Sequence, residues 1–226
     1  MSNDTAPSGP GLSRDVFLAR IRAQLDASGP PGPPPSDSKL VRRVEDGADL
    51  VAEFASRATE AGMAVETVSP ATLRAQLASR LDDVKRVTVS MSPGPRRDAV
   101  IDVVTTLGIE IIDWRRASGV LAHYDADVGI TDVAAAVAET GTLVLSSGEH
   151  HSRGAFMVPP RHLAIVPRAA IVADLVDLLA AEPGRPPHER PAATVLVSGP
   201  SKTADIEGIL ITGVHGPGRV DVFVVV

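Results

Sequence analysis

The chain of 226 residues contains no cysteine. It therefore has no disulfide, no thiolate zinc site and no ligands for an ordinary iron–sulfur cluster of its own. Any redox metal chemistry linked to this chain must come from a partner protein or a cofactor. The sequence does not identify that cofactor.

Aromatic residues are scarce, at 3% of the chain, with one tryptophan and one tyrosine. The core must therefore be built from alanine, valine, leucine and isoleucine, which is typical of helix-rich α/β proteins. So few rings also make a stacking surface for single-stranded nucleic acid an unfavourable interpretation. Because the net charge is −6 and no basic tail offsets it, nucleic acid is not an expected partner.

Long hydrophobic runs are absent as well, and none approaches the length of a membrane span. The segment Met1–Pro10 is polar and has neither a basic start nor an apolar centre, so we expect no secretory signal. These features predict a cytoplasmic protein without a membrane span. The length suits one large domain, or one domain with an appendage.

We predict three parts along the chain. Residues 1–12 are expected to be a disordered tail, and residues 38–226 a single α/β domain. Between them, residues 13–37 hold a stiff proline-rich linker after a helix capped by Ser13, whose apolar positions recur every four residues at Phe17, Ile21 and Leu25. The apolar side of that helix needs a surface to cover, on another subunit or a distant face. A homo-oligomer is therefore one expectation.

The main domain shows a repeated helix–strand rhythm. Three βα steps lie between Lys39 and Asp113, and they predict a three-layer αβα domain around a mostly parallel sheet. A turn at Thr140–Gly141 is expected before a strand at Thr142–Ser146. The remaining predicted elements are a strand at 162–166, a helix at 169–180, a helix beginning near Thr203, and strands at 193–198 and 220–226 that complete the sheet.

The first candidate site follows the apolar run at 195–198. Backbone amides and small polar groups there suit a carboxylate or phosphate at the end of a parallel strand; the residues are Gly199, Ser201, Lys202 and Thr203. Two acids follow, Asp205 and Glu207, which are candidates for proton transfer. The alternative interpretation is a capped strand-to-helix turn with Ser201 or Thr203 as the cap.

A second candidate is the segment Glu139–Thr142. Backbone amides around Gly141 are expected to approach a ligand oxygen, with hydroxyl groups from Thr140 and Thr142 beside it and Glu139 as an acid or base. A simple hairpin glycine explains the pattern equally well.

Two polar turns complete the candidates. The loop Ser147–Arg153 includes Glu149, His150 and His151, but neighbouring histidines on an extended chain point to opposite sides, so an exposed polar loop is favoured over a metal site. Arg153 suits a carboxylate or phosphate clamp. His215, in a glycine-rich turn, is a candidate for proton exchange, or simply part of a chain reversal. We expect these clusters to meet in one pocket at the carboxyl edge of the sheet.

Several short segments from about residue 120 onward resemble segments of one protein family and occur in the same order. They are Ala126-Asp127, Gly129-Ile-Thr131, Ala138-Glu-Thr-Gly-Thr-Leu-Val144, the run of Arg153, Pro159 and His162, Gly199-Pro-Ser-Lys-Thr-Ala-Asp-Ile-Glu207, and His215-Gly-Pro217. The chain thereby resembles the lactate-utilization protein C family, which carries the LUD domain. That resemblance implies a fold like the sugar-phosphate isomerase and CoA-transferase superfamily. It also implies iron–sulfur and oxidoreductase partner proteins, and a role in oxidising L-lactate to pyruvate.

Three functions follow from these observations. The first is a non-redox component of a lactate-oxidising system that binds a small carboxylate or partner proteins. The second is an independent enzyme acting on a small phosphorylated or carboxylated metabolite, with isomerase-like or transferase-like acid–base chemistry. The third is a regulatory or scaffolding domain. In the first two, a small anionic metabolite is the expected ligand, and whether the chain is itself an enzyme stays open.

Overall fold

The computed structural model describes residues 13–28, 43–115, 119–180, 190–203 and 210–226. The chain divides into two compact units, Met1–Val41 and Arg42–Val226. In the first unit the structure describes helix α1 (Arg14–Ser28), where the Val16 amide donates to Ser13 Oγ at 3.4 Å. The predicted tail and most of the predicted linker lie outside the described residues. No helix in the described ranges is long and apolar enough to cross a membrane.

The second unit is built on six parallel strands in the order β1-β12-β7-β4-β2-β3. These strands are β1 (Ala64–Val68), β2 (Arg86–Ser90), β3 (Glu110–Ile111), β4 (Val128–Asp132), β7 (Arg161–Pro167) and β12 (Arg219–Val225). The helices and helical turns of this unit are α2 (Leu50–Glu60), α3 (Leu73–Arg80), α4 (Pro95–Thr106), a 3₁₀ helix (Gly119–Asp125), α5 (Gly154–Met157), a 3₁₀ turn (Arg168–Ala170) and α6 (Leu175–Ala180). The mostly parallel α/β class predicted from the sequence is confirmed.

Side chains alternate between the two faces of the central sheet, and both faces are covered by other elements. In β7, Leu163 and Ile165 pack into a cluster with α3 and α4 on one face. The intervening Ala164 and Val166 pack with α2 and a second, smaller sheet on the other face. The layer on that face is therefore partly a sheet.

The smaller sheet has four strands in the order β8-β5-β6-β9. They are β5 (Ala135–Val137), β6 (Thr142–Ser146), β8 (Ile171–Val172) and β9 (Thr194–Val197). Strands β5 and β6 are antiparallel, and Gly141 takes a φ of 61° in the loop between them. The predicted chain reversal at Thr140–Gly141 and the predicted strand at 142–146 are thus confirmed.

Two sequence expectations in this region were wrong. The run at 193–198 forms β9 at the edge of the small sheet, antiparallel to β6, and does not join the central sheet. The helix predicted at 169–180 begins only at Leu175, because β8 comes first and the Asp174 carboxylate accepts from the Asp177 amide at 2.8 Å. Thr203 belongs to β10 (Lys202–Thr203), which pairs antiparallel with β11 (Ile211–Thr212). The helix predicted to begin near Thr203 falls on residues 204–209, which lie outside the described residues.

Helix α5 lies against the central sheet at a single glycine. A Cβ atom on Gly129, in the middle of β4, would stand 1.6 Å from the Ala155 carbonyl oxygen of α5. Only a residue without a side chain allows this close approach of two backbones. Gly129 therefore sets the height of α5 above the sheet.

Replacing Gly129 by alanine is expected to destabilise the fold by about 2 kcal/mol or more, since backbone must move to relieve the clash. Gly148→Ala is the matched control: its Cβ would meet nothing closer than 3.5 Å, and Gly148 has no positive φ. Urea unfolding of the two variants checks the prediction. Equal stabilities for the two variants would contradict it.

Candidate functional site

The central sheet has a crevice at the carboxyl ends of β2 and β4. From β2 the chain passes through α4 to the edge strand β3, whereas from β4 it passes to the small sheet on the opposite face and then to β7. Neighbouring parallel strands whose connections diverge in this way leave a gap beyond their carboxyl ends, where α/β proteins bind ligands. Ser90 ends β2 and Asp132 ends β4 at this gap.

A small polar cavity of about 150 Å³ occupies the gap. At its centre, His151 Nε2 lies 2.9 Å from Asp132 Oδ1 and 3.3 Å from Ser92 Oγ. The Ser92 amide donates to the second carboxylate oxygen of Asp132 at 3.0 Å. An imidazole held by a carboxylate beside a hydroxyl group is an arrangement suited to hydrogen bonding and proton transfer. The other lining residues are Ser90, Thr131, Val133, Ala134, Leu145, Ser146, Ser152 and Phe156.

The carboxylate of Asp132 is stabilised in its charged form. Its burial alone would raise the pKa, but the hydrogen bonds from His151 and from the Ser92 amide outweigh burial, so that the pKa of Asp132 is lowered below 3.8. Asp132 is therefore an anion at neutral pH and acts as a fixed acceptor for His151.

A tight hairpin carries His151 into this cavity. Gly148 and His151 exchange backbone hydrogen bonds of 3.0 and 3.1 Å. His150 points elsewhere, and its Nδ1 lies 3.0 Å from the Arg115 guanidinium. The two adjacent imidazoles thus have different partners, as expected for an extended chain. Within the described ranges, no three histidine, aspartate or glutamate side chains are grouped as metal ligands.

A wider cleft of about 890 Å³ adjoins the small cavity, and Ser152 lines both. The cleft is lined by Trp114, Arg115, His123, Glu149, Ser152, Arg153, Gly154, Met157 and Val158. Trp114 is anchored by its indole N–H, which donates to the Val89 carbonyl at 3.1 Å. His123 is buried, with its Nε2 2.8 Å from Ser152 Oγ, and burial lowers the pKa of this histidine.

Of the candidates from the sequence, Arg153 is the one at this edge of the sheet. It lines the wide cleft. Gly199, Ser201 and His215 instead line a separate cavity of about 260 Å³ beside His162 and Val220, near the start of β7 and β12. The predicted common pocket at the carboxyl edge was therefore wrong for these three residues. The reason is that β9, which precedes Gly199, belongs to the antiparallel small sheet.

His162, in that second cavity, is a neutral core residue. It is fully buried, its Nε2 lies 2.9 Å from Thr131 Oγ1, and burial lowers its pKa from 6.5 to about 3. The first residues of parallel strands form the amino edge of a sheet. The second cavity thus lies at the opposite edge from the polar cavity.

The Glu139–Thr142 cluster packs against α2. A Cβ on Gly141 would stand 2.1 Å from the Ala58 amide nitrogen, so α2 already fills the space beside this glycine. Thr142 Oγ1 lies 2.7 Å from both Thr140 Oγ1 and Ser198 Oγ. Glu139 forms an ion pair of 3.7 Å with the exposed Arg43. Thr142 thus contacts Ser198, next to the first candidate site, in a packed arrangement.

The remaining predicted residues lie further along the same chain. Lys202 and Thr203 form β10, and Lys202 Nζ would lie 3.6 Å from a Cβ on Gly62, at the end of α2. Asp205 and Glu207 lie outside the described residues. Their roles as acids or bases stay predictions, as do the ligand-binding roles of the other candidates.

Sequence reasoning missed Ser92, Asp132, Trp114 and His123, and gave His151 no catalytic role. Ser92 follows β2 and Asp132 ends β4, so their positions after predicted or apolar strands were the available signal. No local motif links them, because His151 comes 19 positions after Asp132 and 59 after Ser92. Only the order of strands in the sheet brings the three together.

The fold and the crevice define an α/β protein with a ligand-sized cleft at the carboxyl edge of a parallel sheet. The family model of the LUD domain matches residues 121–225. A lactate utilization protein C from an Exiguobacterium species is 31% identical, over 94% of this chain and 95% of its own length. One from Deinococcus radiodurans is 31% identical, over 79% and 80%. The chain belongs to the lactate utilization protein C family.

A solved structure supports the fold independently. The crystal structure of a DUF162 family protein from Deinococcus radiodurans matches with a TM-score of 0.55 and 24% identity. The match covers 78% of this chain and 96% of that protein. At this identity the similarity establishes the shared architecture.

Asp132→Asn is expected to lower the free energy of unfolding at neutral pH by about 1 to 3 kcal/mol, because hydrogen bonds to a charged acceptor are lost. A carboxyl whose pKa is lowered in the folded state stabilises above its unfolded value of 3.8 and loses that effect as pH falls through the folded value. The difference in the free energy of unfolding between Asp132→Asn and the unmodified chain should therefore shrink in strong acid.

Denaturant unfolding over a pH series measures this difference. Asp102→Asn is the control, since Asp102 is 61% exposed and pairs with Arg74 at the surface; we expect a change of under about 0.5 kcal/mol there. A penalty for Asp132→Asn that persists unchanged in strong acid would show that charge is not its cause.

Proposed function

We propose that this chain is the non-redox component of an L-lactate utilization system and binds a small carboxylate, such as lactate or pyruvate, in the polar cavity. The observation that carries the proposal is family membership: the relative named lactate utilization protein C aligns over 95% of its length. An independent isomerase-like or transferase-like enzyme is not favoured by any of these relatives. This chain has no cysteine with which to hold an iron–sulfur cluster, so the proposal assigns iron–sulfur chemistry to partner oxidoreductases.

The polar cavity suits a small hydroxy or oxo acid. Its 150 Å³ is far more than one water molecule requires and too little for a large cofactor. Hydroxyl groups of Ser92 and Ser146 line it and supply donors that carboxylate and carbonyl oxygens need, while His151 Nε2 faces Asp132. Leu145 and Phe156 supply an apolar wall for a methyl group.

The partner proteins require a contact surface as well. Helix α1 offers one, since Phe17, Ile21 and Leu25 lie on one side of it and are all exposed. Exposed apolar stripes of this kind are typical of helices that pack on another protein. Contact with a partner oxidoreductase through α1 is therefore part of the proposal.

Reconstitution tests the assignment to lactate oxidation. The partner oxidoreductases are purified with and without this chain, and lactate-dependent reduction of an artificial electron acceptor is followed. We expect the rate of acceptor reduction to fall at least about tenfold when the chain is omitted. A factor of this size is typical of the coupling between two binding events in one assembly. Replacing Phe17, Ile21 and Leu25 together by serine should weaken the effect. Undiminished oxidation without the chain would rule the function out.

Calorimetric titration of the purified chain with pyruvate and L-lactate tests the cavity. Ser92→Ala and Ser146→Ala are each expected to weaken binding about tenfold, because each removes one hydroxyl donor to the carboxylate. Thr72→Ala is the control, because this hydroxyl lies at the start of α3 and bonds only Ser69. Equal affinities in all three variants would place the carboxylate elsewhere.

A further inference from the structure

The wide cleft beside the polar cavity has the dimensions of a cofactor site. Its volume of about 890 Å³ lies within the range of about 300 to 1,000 Å³ typical for cofactors and drug-sized ligands. It is much larger than lactate or pyruvate requires. The proposed function therefore leaves most of this space unexplained.

One side of the cleft is flat and apolar. The rings of Trp114 and His123 lie at an angle of 28° with their centroids 6.2 Å apart. Met157 and Val158 continue this wall, and Met157 is 47% exposed. Aromatic and thioether groups of this kind favour a planar ring in the ligand.

The other contribution is positive charge. Arg115 donates to the Glu149 carbonyl and to His150 Nδ1, both neutral acceptors, and its guanidinium lies 4.6 Å from the Trp114 ring centroid. The Arg153 guanidinium has neither a hydrogen bond nor an ion pair to any residue that the structure describes. With the Glu149 carboxylate as the one acid in the lining, the cleft keeps a net positive charge. A guanidinium without a carboxylate partner suits phosphate or carboxylate.

His123 contributes a polar ring to the lining of the cleft. It is 1% exposed, its Nε2 lies 2.8 Å from Ser152 Oγ, and its Nδ1 has no hydrogen-bond partner among the described residues. Leaving a buried ring nitrogen unpaired costs about 1 to 3 kcal/mol.

We propose that the wide cleft binds an organic anion that joins a flat aromatic ring to a phosphate or carboxylate group. The ring lies along Trp114 and Met157, and the acidic group is held by Arg153 and Arg115. This site is additional to the proposed binding of a small carboxylate, which occupies the polar cavity beyond Ser152. The two ligands would thus lie side by side at the carboxyl edge of β2 and β4.

The test uses the only tryptophan in the chain as its own reporter, because Trp114 lies in the cleft. Emission of Trp114 is followed while the full chain is titrated with AMP, adenosine, inorganic phosphate and nicotinate. We expect AMP or nicotinate to change the emission saturably; which of them binds more tightly distinguishes a phosphate from a carboxylate ligand. Adenosine and phosphate alone should bind at least about tenfold more weakly, since each lacks half of the recognised features.

Arg153→Gln is expected to weaken binding of the tighter probe about tenfold or more, while Arg74→Gln leaves it unchanged. Arg74 is the matched control, an exposed arginine on α3 that packs on the opposite face of the sheet. Circular dichroism confirms that both variants are folded. Ser92→Ala should weaken pyruvate but not the aromatic probe, so a failure of either site is seen separately.

Three results would overturn the proposal. The first is the absence of any emission change with AMP and nicotinate at millimolar concentration. The second is an equal affinity of the Arg153→Gln and Arg74→Gln variants for the tighter probe. The third is phosphate binding as tightly as AMP while nicotinate causes no emission change. The cleft would then bind an anion without recognising an aromatic ring.

Discussion

The contact between Gly129 and the Ala155 carbonyl is the constraint on which the arrangement of the cavities depends. It sets α5 directly on the central sheet, at a distance that only glycine permits. The residues just before α5 and within its first turn, Ser152 and Arg153 among them, then face the carboxyl-edge cleft. Met157, at the end of the same turn, lines both that cleft and the amino-edge cavity. A single backbone contact thus positions the walls of all three spaces.

The face of the sheet beneath α5 is polar where the opposite face is apolar. Ser90, Thr131 and His162 are buried there, whereas the other face of the same strands presents Val87, Ile130 and Leu163 to the helices α3 and α4. Buried polar groups cost free energy unless they are paired, and Ser90 and Thr131 are paired, with the Ser152 amide and with His162. Such a face contributes less to stability than an apolar one. Its polarity is in keeping with the proposed ligand site that it borders.

Five of the six strands of the central sheet were predicted: three lie in the helix–strand rhythm between Lys39 and Asp113, and two are the runs at 162–166 and 220–226. The sequence did not indicate β4 as a strand. It did not predict the small sheet. Strand β5 has three residues and β8 has two, which is too short for a periodic pattern. An apolar run such as β9 has the same sequence pattern whether its strand pairs in parallel or antiparallel. The predicted position of the Gly199–Thr203 candidate site depended on whether β9 pairs in parallel or antiparallel. Arg153 was recognisable from its chemistry, but Ser92, Asp132 and His151 become a group only through the strand order.

Gly141 and Gly199, each from a segment that resembles the family, contribute to packing. A Cβ on Gly199 would stand 2.5 Å from the Ala61 carbonyl oxygen, and one on Gly141 would clash with Ala58, so both glycines let the small sheet lie close to the end of α2. Strand β6 starts at that contact with Thr142 and ends with Ser146 in the wall of the polar cavity. Because an extended strand of this length is stiff and spans roughly 13 Å at about 3.3 Å per residue, fixing one end fixes the other. The glycines beside α2 therefore help to shape the proposed ligand site from a distance.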